Sequence, residues 1–390
     1  MTTAAAKTPA TGLNGRNRAE AVIDLDAISA NVARLRDHAG GRDVMAVVKA
    51  DGYGHGLVES AKAARAGGAS WLGVALLDEA LQLRRAGDSG PLLSWLAVPG
   101  EQYSEAIRAD VEVSAYADWQ LAEIVGCAQR AGARARVQLE ADSGLGRGGA
   151  LPADWQQMVD EAATAQRDGQ LEVTGVWSHL ARSDEPGHPS IAAQTTTFET
   201  AVAYATSAGL EPRHVHLANS GGALASPDTW FTMVRPGIAI YGVAPFADGA
   251  SPVELTPAMT LRATVALVKR APAGLGVSYG HAYTTDRETT LALVPLGYGD
   301  GIPRHASGRG PVVIKGERFH VAGRVCMDQF VLDVGDTAVR AGDVVVLFGR
   351  ADRGEPTAYD WAVAADTIGY EIVTRVGARV PRTYVGEVAR

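Results

Sequence analysis

The chain has 390 residues, more than one hydrophobic core usually supports, so a large domain with a smaller companion is expected. Hydrophobic residues at 46% and charged residues at 21% are ordinary globular values, and a net charge of -8 argues against nucleic acid or an acidic membrane as the main partner. Cys127 and Cys326 are too few for a disulfide scaffold or structural zinc, and no apolar run is long enough to cross a bilayer, which together fit a reducing cytoplasm.

Residues 1–18 mix Ala, Thr, Lys, Asn and Gly and read as a loose N-terminal tail rather than a signal peptide. From Asp26, the apolar residues Ile28, Val32 and Leu35 recur at helical spacing, which predicts an amphipathic helix with Asp26 as its N-cap. Five of the six residues from Val44 to Lys49 are apolar, the composition of an inner parallel strand, and the run ends in a lysine. Gly52, Gly54 and Gly56 follow, with Tyr53 and His55 between them, so a strand is expected to deliver an amine to the edge of a cavity. Beside apolar walls the ammonium form loses solvation, which lowers its pKa and frees a neutral nucleophile for Schiff-base chemistry.

Leu57, Ala61 and Ala64 mark the next helix, stopped by Gly67 and Gly68. Strands are then predicted at Trp71 to Ala75, Leu92 to Leu96, Val111 to Ser114, Arg136 to Glu140, Val173 to Ser178, His214 to Asn219 and Thr232 to Val234. Helical segments such as Ala117 to Ala131, Ala153 to Arg167 and Ser190 to Ala208 separate most of them. With the lysine strand this is the alternation of a closed (β/α)8 TIM-type barrel over residues 19–255, a doubly wound open sheet being the alternative. The polar residues decide between them: Lys49, Arg147, His179, Ser220 and Arg235 follow the first, fifth, sixth, seventh and eighth strands, and in a barrel all five share one rim. At the last two loops Asn219, Ser220, Gly221 and Gly222, then Gly237 and Ile238, offer a hydroxyl and backbone N–H groups suited to a phosphate.

Beyond Thr256 the helical alternation stops. Short runs at Leu261 to Val268, Thr289 to Pro295, Pro311 to Ile314, Phe319 to Val325, Phe330 to Val334 and Asp343 to Phe348 predict a mainly β domain over residues 256–390, with one late helix at Trp361 to Ile368.

Seven segments in order, VVKADGYGHG (47–56), SGLGR (143–147), HLANS (216–220), VRPGIAIYG (234–242), GVSYG (276–280), PLGYGDG (295–301) and GRVCMDQ (323–329), resemble those of the bacterial alanine racemases. These are fold-type III pyridoxal-phosphate enzymes, and the resemblance runs from about Arg18 to the C-terminus. It implies that Lys49 carries the cofactor on its amine. Tyr53, Ser220, Tyr370 and the backbone at Gly237 and Ile238 would hold the phosphate beside Asn219, with His179 near the pyridine face. Arg235 would meet the ring nitrogen; an arginine cannot accept that proton, so the ring stays a weak electron sink and side reactions such as transamination are suppressed.

Arg147 and the Met327 N–H would take the substrate carboxylate, with Asp328 in support. Racemisation needs a proton carrier on each face of Cα, and the resemblance names Lys49 and Tyr279, the latter lent by the partner chain of a homodimer. His216 would bridge Tyr279 toward Arg235. Where the family commonly has a carbamylated lysine, this chain has Glu140, a permanent carboxylate able to orient Arg147. The activity implied is L-alanine/D-alanine interconversion feeding peptidoglycan. The alternatives are a broader or serine racemase on the same scaffold, or a non-catalytic pyridoxal-phosphate homeostasis protein, against which the β domain with Tyr279 speaks.

Overall fold

The computed structural model describes residues 17–389, so all but the last two residues of the expected N-terminal tail lie outside the described residues. It divides into two compact units: residues 24–258 with 385 onward, and residues 17–23 with 259–384.

The larger unit is a parallel barrel. Its eight strands are Asp43–Val47, Trp71–Val74, Leu92–Ser94, Glu112–Ala115, Ala135–Glu140, Leu171–Trp177, His214–His216 and Met233–Val234, numbered one to eight below. Strands one to seven pair in sequence and strand eight returns to strand one, Val44 opposite Val234. The remaining seam, between strands seven and eight, is bridged by Thr232 N–H to Val215 O (3.0 Å) and Arg235 N–H to Ala218 O (2.9 Å). Strands buried on both faces explain the near-continuous apolar runs of the sequence. Inside the barrel, Met45, Trp71, Leu93 and Met233 from strands one, two, three and eight form one apolar cluster, with Trp95 packed against it.

The first helix spans Leu25–His38 and buries Ile28, Val32 and Leu35, as their spacing predicts. Its N-cap is Asp24, not Asp26: Asp24 is extended and its Oδ1 accepts from Ala27 N–H at 3.0 Å. Asp26 lies inside the first turn, where its carboxylate accepts the N–H groups of Glu387 and Val388 near the chain end. Two acidic residues two apart make either a plausible cap; the local backbone decides.

The smaller unit has a six-stranded sheet, ordered Glu317–His320, Pro311–Ile314, Val344–Phe348, Met259–Thr264, Ala19–Asp24 and Arg382–Val385, and a three-stranded antiparallel sheet of Leu267–Ala271, Thr289–Val294 and Phe330–Gly335. Residues 19–23 therefore go with this unit and not with the barrel, because they pair along Met259–Ala263. The apolar run at 261–268 is two strands of different sheets. The late helix is Ala358–Ala365, ended by Asp366 at φ 53, with a second helix at Gly369–Thr374.

Gly242, at φ 78, ends the turn Ile238–Tyr241 at the barrel rim, and a Cβ there would collide with the backbone of Thr256 and Pro257. Neither neighbour is a side chain that can swing aside. Gly242→Ala is expected to destabilise the fold by about 3 kcal/mol, read as a lower urea midpoint at unchanged slope.

Candidate active site at the carboxyl rim of the barrel

Strand one stops at Val47, and Lys49 begins a short turn, Lys49–Tyr53, of unusual hand. Ala50, Asp51, Gly52 and Tyr53 all have φ between 53 and 60, the left-handed region that non-glycine residues avoid at about 1–2 kcal/mol each. Two carboxylates hold it: Glu79 Oε1 accepts from Ala50 N–H at 2.7 Å, and Asp51 Oδ1 accepts from Leu57 N–H at 2.9 Å. Glu79 Oε2 also takes the N–H groups of Ala75 and Leu76, so one side chain ties the loops after strands one and two together. Lys49 is half-buried, with Nζ 5.8 Å from the centre of the Trp95 ring. Burial pushes its amine pKa down, the Arg147 charge adds to that, and Glu79 opposes it.

Arg235, 4% exposed, follows strand eight. Its Nη1 donates to His216 Nδ1 at 2.8 Å; its Nη2 donates to Ser178 O at 2.6 Å and Leu217 O at 3.2 Å, and lies 3.4 Å from His179 Nδ1. The guanidinium stacks 5.0 Å from the Trp177 ring. Burial disfavours its charge while Glu140 favours it; an intrinsic pKa above 12 keeps it cationic. His179 titrates well below the ordinary histidine range, through burial and then the charges of Arg235, Arg147 and Lys49, so it is neutral.

His216 lies beside Arg235, and both of its ring nitrogens have partners within the barrel, which leaves neither for the expected bridge toward Tyr279. Its ring is fully buried, and its second nitrogen, Nε2, is taken by Gln138 Oε1 at 2.7 Å.

The loops after strands seven and eight are joined at Ser220. Ser220 Oγ accepts from the N–H groups of Gly237 (2.8 Å) and Ala239 (3.4 Å). A Cβ at Gly237 would collide with Tyr53 Oη, so only glycine lets that phenol lie against the turn that opens at Ile238. Two hydroxyls and the amides of that turn thus converge, a donor set that matches a phosphate dianion. Asn219 caps the Ser220–Ala225 helix through Oδ1 and Gly222 N–H, while its Nδ2 lies 3.3 Å from His179 Nε2. Its work is to set the loop and the imidazole.

Arg147 sits exposed at the end of the loop after strand five. Asp142 builds that loop: its carboxylate accepts from Gly144 (2.8 Å), Leu145 (2.9 Å) and Gly146 (3.0 Å). Glu140, 6% exposed, does not pair directly with Arg147; among the described residues no ion pair or hydrogen bond joins them. The two interact through their fields instead. Burial lifts the Glu140 carboxyl to about 7, against the pull of Arg147 and Arg235 and with a further push from Asp142.

Tyr279, Met327, Asp328 and Tyr370 belong to the other unit. Tyr279 opens a short turn and is 70% exposed, Met327 54%. Asp328 Oδ1 accepts from Arg379 Nη2 at 2.7 Å, and Met327 O accepts from Gly299 N–H at 2.8 Å, which fixes the GRVCMDQ loop against PLGYGDG. Tyr370 lies in the Gly369–Thr374 helix. Residues that pattern reading passed over are Glu79, Asp142, Trp95 and Trp177; of these only Asp142, ahead of Ser-Gly, carried a turn signal.

Comparison with known proteins agrees with this geometry. The models "Alanine racemase, N-terminal domain" and "Alanine racemase, C-terminal domain" match residues 23–245 and 258–384. An alanine racemase of Frankia casuarinae is 57% identical over 370 residues, covering 94% of this chain and 96% of that protein, and one of Streptomyces coelicolor is 56% identical over 377 residues, covering 95% and 96%. The crystal structure of alanine racemase from Streptomyces lavendulae superposes with a TM-score of 0.94 at 54% identity, covering 96% of this chain and 98% of that one. The chain belongs to the alanine racemase family.

Proposed function

We propose that this isomerase interconverts L-alanine and D-alanine with pyridoxal phosphate, as a cytoplasmic homodimer whose D-alanine supplies peptidoglycan. The observation that carries the reading is a desolvated amine, Lys49, on the same barrel rim as the hydroxyl and amide cradle of Tyr53, Ser220 and Gly237. Among the described residues no helix is long and apolar enough to cross a membrane, which fits that location.

Pyridoxal phosphate, when bound, supplies an electrophilic aldehyde and an electron-withdrawing ring that acidifies the Cα proton of an amino acid. Lys49, its ammonium form disfavoured by burial, is available as the neutral amine that attaches the group. Tyr53, Ser220, Tyr370 and the amides at Gly237 and Ile238 would hold the phosphate, and Asn219, whose Nδ2 lies 3.3 Å from His179 Nε2, would keep that neutral imidazole in place for the ring. Arg235 would give an N–H to the ring nitrogen, and it has no lone pair with which to accept a proton. Arg147 and the Met327 N–H orient the substrate carboxylate, Asp328 steadying the Met327 loop through Arg379. Lys49 then takes or returns the Cα proton on one face and Tyr279 on the other. A phenol 70% exposed in a single chain suits delivery to a neighbouring copy, which supports the dimer. The β-rich unit and its family match argue against a bare homeostasis protein.

Purified protein incubated with pyridoxal phosphate is expected to turn yellow; Lys49→Ala is expected to abolish the band and cut racemisation by about 10³-fold or more. A colourless wild type would sink the assignment. Tyr279→Phe is expected to slow exchange of the Cα proton with deuterated water by about 10²-fold for one alanine enantiomer and far less for the other; equal slowing would remove Tyr279 from its role. Running the same exchange on serine and lysine measures substrate breadth.

Glu140 adds a pH signature. Its carboxyl, lifted from 4.5 to about 7, holds a proton more tightly in the folded chain than in the unfolded one. The stability this contributes is full below about 4.5 and lost as pH rises through about 7. Glu140→Gln is therefore expected to melt higher than the parent at pH 8, with no such gain at pH 4.5. If Glu140 also orients Arg147 by its field, that variant raises KM for alanine about threefold at pH 8; unchanged KM and turnover would show it does not.

A further inference from the structure

One side of the barrel interior is polar, built from strands four to seven. Glu112, 4% exposed on strand four, accepts at Oε2 from Gln138 Nε2 (2.8 Å) and Thr174 Oγ1 (2.6 Å), and its Oε1 lies 3.2 Å from Arg136 Nε. Gln138 Oε1 faces His216 Nε2 at 2.7 Å, and His216 Nδ1 faces Arg235 Nη1 at 2.8 Å. The direction of every bond in this line is determined. Arginine only donates, so Nδ1 of His216 must accept; Nε2 then carries the hydrogen and donates to the Gln138 oxygen; the amide has only its NH2 left for Glu112.

The backbone is shaped to permit this line. Pairing of strands five and six slips after Val137, so that Gln138 lies opposite Gly175, and Thr174 is the extra residue of a bulge. A Cβ at position 175 would stand 3.0 Å from Gln138 Oε1 and 2.7 Å from His214 O, too close for any side chain. The bulge aims Thr174 at Glu112, and the glycine admits the amide. Gln138 and His216 are fully buried, where a reversed amide would leave donors facing donors and cost more than in water.

We infer that Glu112 is a positioning residue for the reaction: through Gln138 it holds His216 in the Nε2–H form, so that Arg235 always meets an imidazole lone pair and keeps its orientation at the rim. The inference rests on the proposed role of Arg235 at the cofactor's ring nitrogen. Glu112 itself is three hydrogen bonds from Arg235 and touches no reacting atom.

The test is long-range 1H–15N spectroscopy of the histidine side chains in the full chain, with and without pyridoxal phosphate, beside steady-state kinetics on alanine. His216 is expected to show one tautomer, Nε2 protonated and Nδ1 bare, in both forms. Glu112→Met, close in volume but without the acceptor, is expected to split or broaden that pattern and lower kcat about tenfold with KM changed less than about threefold. Should that variant not fold, the isosteric Glu112→Gln decides, with the same spectral change and a loss in kcat of about threefold. Thr174→Val removes one donor to Glu112 and leaves the line intact, so both readouts should hold. An unaltered imidazole pattern in the Glu112 variants, kcat within about twofold of wild type, or an equal loss in Thr174→Val would overturn the proposal. If wild type takes up no cofactor, the reading of the site fails, while the spectrum of the unloaded chain still decides the role of Glu112.

Discussion

The barrel rim is governed by a surplus of positive charge in a poorly solvated place. Lys49, Arg147 and Arg235 lie near enough to depress the proton affinity of the groups among them: Arg147 lowers Lys49, and all three lower His179. The anions that answer them within the chain are Glu79 and Glu140, and neither forms an ion pair with any of the three among the described residues. Such a rim favours neutral amine and neutral imidazole over their charged forms, and it attracts carboxylate and phosphate. One electrostatic imbalance thus disfavours the charged form of the Lys49 amine and makes the rim attractive to anions.

Holding that imbalance demands a backbone under strain. The left-handed turn after Lys49 is tolerated because Glu79 accepts its Ala50 amide, because Asp51 within it accepts from Leu57 N–H, and because the Tyr53 ring at its end packs 5.1 Å from that of Tyr241. Arg235 is tolerated in the interior because its N–H groups meet backbone carbonyls and an imidazole whose tautomer is set from deeper in the barrel. In both places a side chain away from the charged group completes the support: Glu79 for the turn, and Gln138, through His216, for Arg235.

Much of this was legible in the residue order. Runs such as Val44–Val48 announce two-sided burial, so the barrel could be read; a lysine at the end of such a run can simply reach into water, and only the motifs downstream singled out Lys49. The paired strands reproduce the eight predicted ones to within a few residues. What could not be read depends on partners distant in sequence. Ala19–Asp24 resembles any short β run until Met259–Thr264 lies beside it. Val321 and Val325 are buried like strand residues yet lie outside a regular strand, so the predicted run at 319–325 shrinks to Glu317–His320. The partners of His216 depend on the register of strands five and six, which shifts by one residue at a bulge that no local pattern marks. Glu140 was legible as an anion near Arg147, but its distance from the guanidinium was not.

The crossed ends of the chain carry a consequence for biosynthesis. The β strand at residues 19–23 leaves the ribosome early, yet the segment with which it pairs begins only at Met259. At about 5–20 residues per second that partner emerges tens of seconds later. Through that interval an alternating apolar strand waits with unmatched amides, an invitation to chaperones or to intermolecular pairing. Neither half can be released by a single cut, since each borrows a terminus from beyond the other.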